Sequence, residues 1–176
     1  MTKKDFLNKI ANGKDDFLQR FIDILKKERV KFCAIGGLAV NAYAEPVVSL
    51  DLDVVIVSEK LNSLISQLKK RFKIETFENS INVSEKKSDL RIQIQTDERY
   101  QDFIARAKVK DVLDYRIPVA TIEDVFQGKI WAASDKTRRP SKRQKDLADI
   151  LRLIEKKSKL AQLLPQELKK QLNLSN

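Results

Sequence analysis

The chain has 176 residues, 42% of them hydrophobic and 34% charged, with a net charge of +10. That is enough for one domain with a real core, and the basic excess points to a polyanionic partner or to plain solubility. There is no histidine and one cysteine, Cys33, so histidine bases, His/Cys zinc sites and any intrachain disulfide are excluded. No apolar run approaches the ~20 residues of a membrane span, and the opening MTKKDFLNKI has no signal-peptide core. A cytoplasmic protein without membrane contact is expected.

In chain order, Asp15–Arg29 carries Phe17, Leu18, Phe21, Ile22 and Leu25 at helical spacing. VKFCAIGG (30–37) is a short strand stopped by glycines, and Leu38–Ala44 a helix ended before Pro46. Leu52–Val57 is an apolar, β-branched strand, and residues 59–71 form a helix. FKIETFE (72–78) and SINVSEK (80–86) read as a strand pair, and LRIQIQT (90–96) alternates as a half-buried strand. Arg99–Ala107 is a helix, VLDYRIPVA (112–120) one extended piece, and the chain is helical from Thr121. From Lys129 to Lys159 eleven lysines and arginines face four acids, seven of the net +10. Helices interleaved with strands and followed by a helical tail predict a single-sheet domain.

Two features carry chemistry. Asp51 and Asp53 share one face of a strand, because alternate residues point the same way. Close carboxylates repel unless a cation lies between them, and Mg²⁺ prefers one or two carboxylates completed by phosphate oxygens. Gly36-Gly37 opens the helix after the preceding strand, where a ligand can approach the backbone. Together they describe a phosphoryl or nucleotidyl transfer site, although each alone also fits a solvated loop or a tight turn. No GxGxxG or P-loop pattern is present.

The second feature lies in the tail. On a helical wheel Ile122, Val125, Phe126, Ile130 and Ala133 form one face, and Lys129 falls in its middle. Such a lysine either snorkels past the core edge or has a partner. Trp131 lies on the opposite side, where it either packs under a neighbouring helix or stacks a base. Ser141 and Gln144 read as a capping box after Pro140. Leu147, Ile150, Leu151 and Ile154 make the buried face of that helix, with Arg143 in line, Asp146 flanking and Asp149 pointing away. Lys136, Arg138, Arg139, Lys142 and Arg143 fit either a polyanion site or a solvated basic loop.

GG, a helix and then Ser49-x-Asp51-x-Asp53 at the head of an apolar strand resembles the DNA polymerase β-like nucleotidyltransferase superfamily. TIEDVFQGKIWAASDKTRRPSKRQKDLADILRL, from Thr121, is similar to the C-terminal signature of its abortive-infection toxin (AbiEii-like) branch. The resemblance spans most of residues 30–155. It implies an α+β fold: a small mixed β-sheet flanked by helices, with a C-terminal helical extension. Residues 1–120 would be the core, and residues 121–176 a helical part packed on it with a basic face. It also implies transfer of NMP from an NTP to a hydroxyl acceptor. Asp51 and Asp53 would hold Mg²⁺ (or Mn²⁺), and Lys129 and Asp146 would join them as catalytic residues. Gly36, Gly37, Ser49 and Arg143 would contact substrate. The acceptor hydroxyl would belong to an RNA, a protein or a small molecule, transfer RNA being one family precedent, and an antitoxin is a partner the resemblance allows. Full members carry a third carboxylate on a later strand, in a context such as R-I-D. Here that strand reads Arg91-Ile92-Gln93. Asp89, about 13 Å along the same face, and Asp146 are the substitutes. The alternative is a degenerate nucleotidyltransferase that binds nucleotide, nucleic acid or protein without turnover.

Overall fold

The apolar run around Cys33 becomes β1 (Phe32–Ile35), with all four residues buried. The computed structural model describes residues 1–174. Six further strands follow: β2 (Asp51–Ile56), β3 (Lys73–Thr76), β4 (Ser80–Ser84), β5 (Arg91–Gln95), β6 (Lys108–Val112) and β7 (Tyr115–Val119). They form one sheet of order β3-β4-β5-β2-β1-β7-β6. β2 runs parallel to β5 and β1 parallel to β7, while the other neighbours are antiparallel. The flanking helices are α1 (Lys3–Ile10), α2 (Phe17–Lys27), α3 (Gly36–Val40), α4 (Ser58–Leu68), α5 (Gln101–Arg106), α6 (Ile122–Ser134), α7 (Pro140–Lys156) and α8 (Gln166–Gln171). This is the expected mixed sheet flanked by helices.

Period-2 alternation divides the strands. Leu52 and Val54 of β2, Ile92 and Ile94 of β5 and Ile81 and Val83 of β4 all go into the core. Their neighbours Asp51 and Asp53, Arg91, Gln93 and Gln95, and Ser80, Asn82 and Ser84 take the opposite face. The register aligns them in rows: Asp51 beside Arg91, and Asp53 beside Gln93, which pairs onward to Asn82. One buried cluster runs from Leu7 of α1 to Leu168 of α8 and includes Leu147, Ile150 and Leu153 of α7.

The structure departs from the sequence reading at several boundaries. The N-terminal decapeptide forms α1, closed by a reciprocal capping box between Thr2 and Asp5; its Leu7 is buried. The piece read as one extension from residue 112 is a hairpin, β6 and β7, turning at Leu113 and Asp114 with φ of 53° and 66°. A two-residue turn with positive φ usually shows itself by glycine or asparagine, and here Leu-Asp fills it. The capping box expected at Ser141 and Gln144 does not form. Arg139 is the N-cap without a side-chain bond, and Pro140 takes the first helical position. Proline suits that position because its fixed φ is helical and its missing N–H is not needed.

Candidate active site

Asp51 and Asp53 stand at the head of β2, where they line two adjoining cavities of about 180 Å³ each. Lys129, Arg138, Lys142 and Asp146 line both. The Gly37 side is walled by Ser49, Lys145, Asp149 and Arg152, and the β5 side by Gln93, Gln95, Tyr100 and Phe103.

The two aspartates are unlike. Asp51 Oδ1 accepts from Arg91 Nε at 3.0 Å and Nη2 at 2.5 Å, and Oδ2 accepts from Lys142 Nζ. Burial pushes its pKa up, but the bonds to Lys142 and Arg91 outweigh burial and hold it below the usual carboxylate value. Asp53 has no ion pair of this kind among the described residues. It keeps some solvent access at the cleft floor, yet desolvation dominates. Lys129 pulls its pKa down, Asp51 pushes it up, and the net direction is up. Asp53 is thus a desolvated carboxylate beside a like charge, the state a cation relieves.

Gly36 makes this packing possible. It sits at φ 61°, and a Cβ there would lie 2.9 Å from Asp53 Cγ. Only glycine leaves room for the carboxylate in that left-handed conformation. A Cβ at Gly37 would come no nearer than 4.0 Å to Asp149 Oδ2. α3 spans five residues, so the glycines offer backbone N–H groups more than a helix dipole. Ser49 Oγ bonds the Asp51 backbone N–H at 3.3 Å and carbonyl at 3.2 Å. It pins the turn into β2.

Lys129 is buried, and its Nζ meets Asp146 Oδ1 at 2.9 Å and Asp149 Oδ2 at 2.7 Å. Burial presses its pKa down, and the two aspartates outweigh burial and hold it above the usual lysine value. Each aspartate is shared: Arg138 Nε reaches Asp146 Oδ2 at 2.7 Å, and Arg152 Nη1 reaches Asp149 Oδ1 at 2.6 Å. The result is a chain of alternating charges from Arg138 to Arg152 along the cleft wall. Asp149, expected to point away, is therefore a member of the cluster. The wheel placed α7 by its apolar stripe, but Lys142, Asp146, Asp149 and Arg152 form a second stripe at helical spacing that faces α6 and α3. That spacing was the available signal for Lys142, Asp149 and Arg152.

Arg143 is placed elsewhere. Its Nε donates to the Ala133 carbonyl at 3.0 Å and ties α7 to the end of α6. Asp89 lies before β5 and accepts from Asn12 Nδ2 at 2.5 Å, so it does not replace a third carboxylate. Gln93 occupies that register, directly beside Asp53. Asp146 is committed to Lys129 and Arg138. Among the described residues no three acidic, cysteine or histidine side chains are placed to hold one metal ion together. The donors at hand, two carboxylates on one sheet face in a cation-lined cleft, fit a single divalent ion completed by phosphate oxygens. Cys33 is buried and its thiol is pushed up to about 12, so it is no nucleophile.

A family model described as "Nucleotidyl transferase AbiEii toxin, Type IV TA system" matches residues 16–173. No curated protein matches the sequence. Among solved structures, the antibiotic-resistance factor ANT(2'')-Ia is 13% identical with a TM-score of 0.59, over 89% of this chain and 91% of that one. A nucleotidyltransferase-like protein of Paracoccidioides brasiliensis is 15% identical with a TM-score of 0.59, over 97% and 90%. The lincosamide antibiotic adenylyltransferase LnuA, bound to lincomycin, is 13% identical with a TM-score of 0.54, over 77% and 95%. At such identities the likeness is one of fold.

Proposed function

Because the chain belongs to the AbiEii nucleotidyl transferase toxin family, we propose that it is a metal-dependent nucleotidyltransferase that moves NMP from an NTP to a hydroxyl acceptor. The acceptor class is RNA, with transfer RNA a member, and an antitoxin is its functional partner. No helix among the described residues is long and apolar enough to cross a membrane. The observation that carries the reading is the Asp51–Asp53 pair at the floor of a cleft walled by Lys142, Lys145 and Arg152.

Position in the cleft supports the following roles. Asp51 and Asp53 hold Mg²⁺ or Mn²⁺, which when bound supplies charge for the α-phosphate and acidifies an attacking hydroxyl. The Gly37 backbone lies against the triphosphate, while Gly36 makes room for the Asp53 carboxylate. Lys142, Lys145 and Arg152 neutralise its tail, and Ser49 keeps β2 in place. Lys129 holds Asp146 and Asp149 and through them sets Arg138 and Arg152. The acceptor oxygen forms a bond to the α-phosphorus, and the bond to the β-phosphate oxygen breaks. Pyrophosphate leaves with that electron pair, and the hydroxyl proton passes to water. The protein supplies position and charge, the main requirements of this chemistry.

A second reading has its own observation. Gln93 stands where a third carboxylate would help hold a metal, and Asp51 is already neutralised by Arg91 and Lys142. Such a site binds nucleotide without turnover. Incubation with each α-labelled NTP, Mg²⁺ and total RNA or cell lysate separates the two. Label on an acceptor supports transfer. Saturable NTP binding with no labelled product supports the binding module.

A further inference from the structure

The cleft does not end at Gln93. Past Tyr100 and Arg138 it opens into a shallower compartment of about 420 Å³. The two spaces share Gln95, Tyr100, Ala132 and Arg138. The back wall is Trp131. Phe103 stacks on the indole at 5.9 Å with the rings 11° apart, and Tyr100 meets it edge-on at 5.3 Å. The Arg99 guanidinium lies over the ring, 4.9 Å from its centre. Asp97 holds that guanidinium in one plane, accepting from Nε at 2.9 Å and Nη2 at 2.6 Å. The Arg99 side chain is nonetheless 58% exposed.

A guanidinium clamped by Asp97 and backed by an indole is a flat, charge-paired platform, suited to stacking the π-face of a base. In-line displacement decides which base it meets. The attacking and leaving oxygens stand on opposite sides of the phosphorus. Gly37, Lys145 and Arg152 lie on one side of the aspartate pair, which assigns that side to the leaving pyrophosphate. The acceptor then approaches from the Gln93 and Tyr100 side, the side that leads to Trp131. Resting on the nucleotidyltransferase reading, we propose that Arg99 and Trp131 form a nucleobase-stacking subsite for the acceptor. The acceptor is then a single-stranded nucleic acid whose base sits on the platform while its hydroxyl reaches the α-phosphate.

Trp131 is the sole tryptophan, so its emission reports on this compartment alone. The intact protein is titrated at low salt with a short single-stranded RNA, with a duplex of equal length, and with Mg²⁺-NTP alone. Single-stranded RNA should quench Trp131, and the other two should not. Arg99→Ala should weaken RNA binding, followed by anisotropy of a labelled strand, roughly tenfold, as expected for loss of one stacked base. It should leave NTP affinity unchanged. The variant keeps the Asp97 turn, whose bond uses the Arg99 backbone N–H. Quenching by Mg²⁺-NTP alone would assign the platform to the incoming nucleotide and overturn the proposal. Equal binding of duplex, or of RNA to Arg99→Ala, would reduce the contact to charge and overturn it too. Label transferred to a protein or small molecule, with RNA silent, would leave nucleotidyl transfer standing and remove this subsite. RNA quenching without any labelled product would keep the platform and remove the enzymatic reading.

Discussion

Lys142 competes with a metal for Asp51. Asp51 Oδ1 accepts from Arg91 and Oδ2 from Lys142, so an ion entering the pair meets the lysine at Oδ2. Lys142 and Asp51 are 33% and 28% exposed, which places the pair among partly solvated ion pairs contributing about 1 kcal/mol. Lys142→Met removes that competitor while keeping the aliphatic stem. Affinity of the nucleotide-free protein for Mg²⁺ or Mn²⁺ should therefore rise about fivefold. Mg²⁺-NTP affinity should move the other way, because the displaced lysine would otherwise face the triphosphate. Titration calorimetry with metal alone and then with metal and NTP measures both. The metal-free protein should lose no more than ~1 kcal/mol, since Asp51 keeps Arg91. Unchanged metal affinity, or two affinities moving in the same direction, would refute the exchange and leave Lys142 as a surface lysine near a carboxylate.

Gln93→Asp should tighten divalent binding and raise Mg²⁺-dependent turnover, while lowering the melting temperature of the metal-free protein through a third like charge. A mutant whose melting point ignores both the charge and the metal would show that position 93 does not face Asp53. Lys129→Met strands Asp146 and Asp149 with one arginine each. Loss of a buried partner costs ~3–5 kcal/mol, and urea denaturation should give a value near the lower end. Asp53 has a raised pKa, so the folded protein holds that proton to higher pH than the unfolded chain. Its contribution to stability is present at low pH and is lost as pH rises through the window above the ordinary 3.8. Melting curves across that window should show the fall in wild type and not in Asp53→Asn, and saturating Mg²⁺ should suppress it.

Several parts of this molecule are local in sequence and were legible there. The alternation of β2 put Asp51 and Asp53 on one face, and that of β5 put Gln93 on the face opposite Ile92 and Ile94, because side-chain direction in a strand depends only on parity. The lysine in the apolar stripe of α6 stood out as a charge that either snorkels past the core edge or has a partner, because desolvation makes an unpaired buried charge too costly. The glycine pair marked a close backbone approach, although not what approached. Three things depended on how elements meet. Gly36 is glycine because of the Asp53 side chain, seventeen residues on, brought against it when β2 pairs antiparallel to β1. Asp149 and Arg152 joined the cleft, and Arg143 left it, because the crossing of α7 over α6 and α3 fixes which stripe faces inward. A wheel gives angles within one helix and none between helices. The pairing of Asp51 with Lys142, ninety-one residues apart, is of the same kind: charge attracts through space, and only the packed sheet and helices set which charges come within reach.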